Sequence, residues 1–258
     1  MTKTGKKGHP IIFSLMLGIL LTFLISAASA AASIMELSDN GMYMAQAAAF
    51  LVMAVFVAVY MTRGGRTLAQ FGFKPIRAAG SKAALYYIPL LIIALVQPIV
   101  GGGFNVQLTA AEVLLFIVLT AIVGFTEESI FRGIIRDKLK FKGPVFYIVF
   151  SSVFFGILHM ANALNGKDPL SVALQVINAF LIGLILALLI ETTENIIPLI
   201  LFHFAFDVLA FMTQENPDKE LTAIAILNVL YVLYGIYLVY NLRRRKKLGA
   251  APDNRLSA

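Results

Sequence analysis

Apolar residues in this chain come in long blocks, each broken by a short polar connection. A helix needs about 20 apolar residues to cross the hydrocarbon core of a bilayer. Eight blocks approach that length, near residues 11–35, 42–62, 83–102, 108–126, 144–161, 170–190, 196–213 and 221–241. They predict an all-α fold, a polytopic membrane helix bundle with about eight transmembrane helices. The fourth and seventh blocks are short or interrupted by polar residues. Lys3, Lys6 and Lys7 precede the first block, and Ala28-Ser29-Ala30 resembles a small-residue cleavage site. The apolar stretch nevertheless runs on to Met35, so the first block is read as a retained helix.

No internal repeat, low-complexity stretch or second soluble domain interrupts the blocks. Residues 1–247 read as one membrane-embedded helical domain, with the motif-bearing core over about 60–215. Residues 248–258 read as a short flexible cytoplasmic tail. Within the 63–82 connection, Leu68, Phe71 and Phe73 stand among basic residues, as in a membrane-surface element or a plain linker.

Composition supports the bilayer as solvent. The chain is 59% hydrophobic, against about 45–50% for a soluble domain. The net charge of +7 sits in short loops and tails, which assigns it to topology and not to a nucleic-acid partner. Basic connections at 63–82 and 136–142 alternate with acidic ones carrying Glu36 and Asp39, then Glu215, Asp218 and Glu220. The alternation puts both termini in the cytoplasm. One connection breaks it: 191–195 falls on the basic side yet holds Glu191 and Glu194 with no base. The absence of cysteine excludes a disulfide framework, a zinc ribbon and a thiol nucleophile.

An ionisable residue at membrane depth costs about 2.5–3.5 kcal/mol on insertion scales, which makes each one a functional candidate. Three clusters stand out. Glu127 and Glu128 follow the fourth block, with Arg132 four residues past Glu128 and on its helix face. Glu127 lies about 100° around the helix. One carboxylate can therefore be neutralised by Arg132 while the other faces a cavity. A juxtamembrane ion pair capping a helix end is the plainer reading, since Arg136, Asp137 and Lys138 follow closely. The second cluster is Phe155 with His159. The third is His203 with Asp207, again four apart on one face. Two of the chain's three histidines thus lie inside apolar blocks. A base, an acid, two imidazoles and an orienting carboxylate suit the activation of a water for hydrolysis. A metal held by the histidines and a Glu would serve, as would a Glu base with the histidines on the oxyanion.

In this order, Glu-Glu-x-x-x-Arg at Glu127, Glu128 and Arg132, Phe-x-x-x-His at Phe155 and His159, and His-x-x-x-Asp at His203 and Asp207 resemble the CAAX protease and bacteriocin-processing (CPBP, or Abi) family of intramembrane endopeptidases. The resemblance implies Glu127 as the water-activating base, Glu128 as its partner and Arg132 as the residue holding that pair. It implies His159 and His203 on the metal or the oxyanion, with Asp207 beside them. Where a metal takes part, His159, His203 and Glu127 are the candidate ligands and Zn2+ the candidate ion. The implied substrate is a membrane-associated peptide or protein, prenylated in CAAX-type relatives, and in bacterial relatives the function is bacteriocin maturation or self-immunity. The bacterial group is favoured, and with it a multi-pass protein of the bacterial plasma membrane.

Two other functions fit a polytopic chain with buried charges. A non-catalytic immunity or scaffold protein would keep the fold without needing Glu127. A proton-coupled transporter would relay protons through Glu and His, but carriers usually show inverted repeats. One depth mismatch bears on the site itself. If the fifth helix starts near Pro144, His159 lies some 15 residues into the membrane, while Glu127 sits at the end of the fourth block. Either the fourth helix continues past Arg132 to about Lys138, or a kink at Gly124 or Gly133 closes the gap.

Overall fold

The computed structural model describes residues 9–75, 84–165 and 169–249. Among them the chain is helical, with no strand beyond an isolated bridge between Phe104 and Thr213. The helices are α1 (Pro10–Ile34), α2 (Asp39–Thr62), α3 (Ile88–Val100), α4 (Ala110–Glu128), α5 (Ile135–Leu139), α6 (Pro144–Leu158), α7 (Pro169–Thr193), α8 (Ile197–Met212) and α9 (Pro217–Gly249). Every predicted block is helical. Six stretches are long and apolar enough to cross a membrane among the described residues, while Ala84–Val100 and Ile197–Met212 are shorter.

Three boundaries differ from the expectation. The 83–102 block yields only a 3-10 turn at Ala84–Tyr87 and the 13 residues of α3. Pro98 inside α3 removes a helical hydrogen-bond donor, and Gly101 and Gly102 then leave the helix. The fourth block is not short: α4 passes into a π-helical turn (Ser129–Ile134), α5 and a 3-10 turn, so that one rod runs over Ala110–Lys142. Finally, α9 continues through Gly249, two residues into the expected tail, and residues 250–258 lie outside the described residues.

The continuous rod removes the depth mismatch. Gly143, with φ +85°, turns the chain from the rod into α6. In an antiparallel pair, residues equally far from the turn share a level. Phe131 and Phe155, each twelve from Gly143, bring their ring centroids to 4.9 Å. Glu127 and His159, each sixteen away, reach the same level about 24 Å along their helices. Nothing needs to kink at Gly124 or Gly133. Gly124 instead lets α4 lie against α8, since a Cβ there would stand 3.1 Å from the Phe204 nitrogen. Gly156 does the same for α6 and α7, where a Cβ would meet the Phe180 Cβ at 3.0 Å.

The two acids that broke the charge alternation have bases supplied by other connections. Arg136 Nε stands 2.5 Å from Glu191, and Lys74 Nζ 2.7 Å from Glu194. Phe71 is not a surface residue: it is buried, against Gly133. Gly72 beside it has φ +91° and accepts a hydrogen bond from the Ile196 nitrogen at 2.9 Å. The described part of the 63–82 connection therefore docks into the bundle, and its remainder, 76–83, lies outside the described residues.

Candidate active site

The π turn begins one residue after Glu128, and all six of its residues are buried. Such a turn widens the helix by one residue and often marks a functional segment. Here it carries Arg132 under the Glu128 carboxylate. Arg132 Nη1 lies 3.0 Å from Glu128 Oε1, with both side chains 0% exposed. Nη2 donates to the Gly183 carbonyl of α7 at 3.2 Å, and the guanidinium lies over the Phe155 ring, 4.7 Å from its centroid. A charge pair so far from water is costly unless its remaining atoms find partners; α7 supplies the Gly183 carbonyl and α6 the face of Phe155, while Glu128 Oε2 and Arg132 Nε have no hydrogen-bond partner among the described residues.

His203 of α8 completes the cluster. Its Nδ1 donates to Glu128 Oε1 at 2.8 Å. Its Nε2 stands 3.4 Å from Asp207 Oδ2 and 3.8 Å from Glu127 Oε2. Glu128 is thus held from two sides and kept away from the cavity.

Glu127 is the carboxylate that reaches the cavity. About 240 Å³ of space opens beside it, walled by α1, α2, α4, α6, α7 and α8. Glu127, His159 and Asp207 line it, as do Phe155 and Phe211. Glu127 is 13% exposed and Asp207 25%. His159 Nδ1 donates to the Phe155 carbonyl at 2.8 Å. In the neutral imidazole, that bond leaves Nε2 as the accepting nitrogen.

The six residues singled out by their motifs therefore meet in one place, in two layers. Glu127, His159 and Asp207 line the cavity; Glu128, Arg132 and His203 stand behind it. Sequence reasoning set His203 beside His159 on the reacting atoms. The close approach of α8 to Gly124 sets the His203 ring against Glu128, with Nε2 toward Asp207 and Glu127. Sequence reasoning also found no use for α1 and α2, yet Thr22, Ser26 and Gln46 form part of the cavity wall, and so does Gln175 of α7. Gln46 donates to Ser29 at 3.0 Å, tying α2 to α1. A lone amide in a membrane helix has too many ordinary uses to signal this.

For a metal ion the donor chemistry is suitable. A histidine whose Nδ1 is tied to a carbonyl or a carboxylate offers Nε2, the usual arrangement behind a metal ligand. The placement is not suitable. Among the described residues no three His, Asp or Glu side chains form a group able to hold a metal ion, so the arrangement as it stands does not fit one.

Comparison with known families reaches the same segment. Residues 109–209 match the family described as Type II CAAX prenyl endopeptidase Rce1-like. The matched stretch runs from Thr109, whose hydroxyl and Glu112 form the capping box that starts α4, to just past Asp207, and it contains all three motifs. The resemblance drawn from those motifs is thus borne out. No curated protein and no solved structure matches the chain.

Proposed function

We propose, with the Rce1-like protease match of residues 109–209 as premise, that this chain is an intramembrane peptidase cleaving a membrane-associated substrate with a water activated by Glu127. The division of labour between the two glutamates carries the reading. Arg132 and His203 hold Glu128, while Glu127 is left to line the cavity with His159 and Asp207.

The chemistry follows from the positions. Glu127 accepts a proton from a water in the cavity, and the water oxygen bonds to the scissile carbonyl carbon. The same carboxyl then delivers that proton to the amine nitrogen as the C–N bond breaks. His159 Nε2, the accepting nitrogen, orients the water from a second direction. Asp207 accepts an N–H of the substrate backbone. Glu128, Arg132 and His203 are positioning residues: they fix Glu127 and Asp207 without touching substrate. Substrates of the CAAX type carry a prenyl group, for which the apolar wall of Leu21, Ile25, Phe50 and Leu119 is suited; peptide maturation or self-immunity uses the same chemistry.

The test is cleavage of prenylated and unprenylated peptides by purified wild type, Glu127→Gln and Glu127→Ala. A general base contributes about 10²–10⁴-fold, so both variants lose at least about 100-fold in kcat/KM while folding normally. Retained cleavage by Glu127→Gln refutes the assignment. A wild type that binds peptide without cutting it is a scaffold. The metal-dependent alternative takes His159, His203 and Glu127 as zinc ligands, although as placed they form no metal-holding group. Zinc content separates the two. About one zinc per chain, lost with activity in both His159→Ala and His203→Ala, makes this a metalloprotease, and cleavage without stoichiometric zinc leaves Glu127 as the activating group.

A further inference from the structure

The cavity occupies one half of the bundle. Its wall residues on α2 are Gln46, seven past the start of that helix, and Phe50 at its middle. On α7 the wall residue is Gln175, six past the helix start, and on α8 it is Phe211, next to the last residue. All of these helix ends share the end of the bundle where α1 turns into α2 and α8 into α9. Gln46 and Gln175 are only partly buried, and Phe211 is exposed.

The other half holds an opening of about 160 Å³ at its basic end, between Gln70, Arg136, Tyr147 and Glu191, but is sealed between that opening and Glu128. Beyond Glu128, the rod, α6 and α7 meet through Ile130, Ile134, Ile135, Tyr147, Leu189 and Ile190, each no more than 1% exposed. Together with the buried Arg132 pair, they leave Glu127 no route in that direction.

The two ends differ in charge. Among the described residues, the end where the cavity lies carries Glu36, Asp39, Glu112, Glu215, Asp218 and Glu220 against Lys219. The sealed end carries Arg63, Arg66 and Lys74 after α2, Arg136, Lys138, Lys140 and Lys142 after the π turn, and Arg243 and Arg244 at the end of α9, against Asp137, Glu191 and Glu194. Lys and Arg in short loops mark the cytoplasmic side.

We infer that Glu127 is reached from the non-cytoplasmic face of the membrane. Resting on the peptidase reading above, this narrows the substrate class to membrane-associated peptides whose scissile bond lies on that face, such as a segment already carried across the bilayer. A lipidated tail anchored in the cytoplasmic leaflet meets the sealed half.

The absence of cysteine makes a direct test available. Single substitutions Glu36→Cys at the acidic end, Gln46→Cys in the cavity wall and Lys142→Cys at the basic end are expressed in intact cells. They are treated with a membrane-impermeant maleimide before and after permeabilisation. Glu36→Cys and Gln46→Cys are expected to label fully in intact cells, and Lys142→Cys only after permeabilisation. Should Gln46→Cys fail to fold, Ser26→Cys reports on the same cavity. Labelling of Lys142→Cys in intact cells, with Glu36→Cys protected, overturns the inference, as does a cavity cysteine that reacts only from the cytoplasmic side. The labelling does not depend on cleavage. External labelling in a protein that cuts no peptide therefore keeps the side of access and sinks the peptidase reading alone.

Discussion

Replacing Arg132 by methionine removes the cation from a carboxylate that has no water to turn to. At 3.0 Å and an effective dielectric of about 20, the pair attracts by about 5 kcal/mol. His203 remains 2.8 Å from Glu128 and offsets part of the loss. The expected cost is therefore about 3–5 kcal/mol, the range for breaking one side of a buried pair. For a chain of this length that lowers the thermal midpoint by roughly 6–20 °C. Glu128→Leu combined with Arg132→Met removes both charges and leaves an apolar contact between the rod, Phe155 and Gly183. The double variant should recover most of the lost stability, since apolar replacement of a whole buried pair is often neutral or stabilising. It should not recover activity, because His203 no longer has Glu128 to set its ring beside Glu127 and Asp207. Thermal unfolding in detergent and peptide cleavage, measured on wild type, both single variants and the double, form one thermodynamic cycle. An Arg132→Met midpoint equal to wild type, or a double variant no more stable than Arg132→Met, refutes the account of the pair. A double variant with full activity refutes the positioning role.

Gly156→Ala puts a methyl 3.0 Å from the Phe180 Cβ. It should cost about 1–3 kcal/mol and lower kcat more than it raises KM, because His159 lies three residues on; a midpoint unchanged from wild type would show that α6 and α7 have slack there. Gly124→Leu should separate α4 from α8 and abolish cleavage, and a working variant would mean that the contact of His203 with Glu128 is dispensable. The Lys74 ammonium holds the Glu194 carboxyl below its ordinary range, first through their hydrogen bond and then through charge. The pair's contribution is present above pH ~4.5, the ordinary carboxylate value, and fades as pH falls through the depressed folded-state value. Both groups are widely exposed, so it amounts to less than about 1 kcal/mol. Lys74→Ala should lower the midpoint by a few degrees at pH 7 and by less at pH 4; an equal loss at both pH values speaks against the pair.

The blocks that became helices were legible because crossing a bilayer is a demand of local composition. The split between Glu127 and Glu128 was legible too, since 100° of helix rotation separates neighbours and one of them must face Arg132. The extension of the rod past Arg132 was legible as one of two ways to match the depths of Glu127 and His159, but its cause was hidden. Arg132, Arg136, Asp137 and Lys138 look like the close of a helix in sequence, and only Glu128, the Gly183 carbonyl and Glu191 from distant stretches make them affordable inside a rod. For α3, Pro98 is visible in the apolar run, but the 3-10 turn that takes up its start at Ala84–Tyr87 is not. The position of His203 depends on how closely α8 approaches Gly124, a property of two helices at once.

The π turn leaves the two halves of the rod out of phase by one residue. Above it, helical phase aims Glu127 at the cavity; below it, a different phase aims Arg136 at Glu191. Removing one residue from Ser129–Ile134 would restore an unbroken α-helix and rotate one half against the other by about 100°. Glu127, Glu128, Arg136 and Glu191 would all survive such a deletion, and the hydropathy of the span would hardly change. The carboxylate and the guanidinium would simply cease to point where the neighbouring helices expect them. The register of this short stretch, counted in single residues, is therefore a stricter requirement on the chain than the identity of most residues around it.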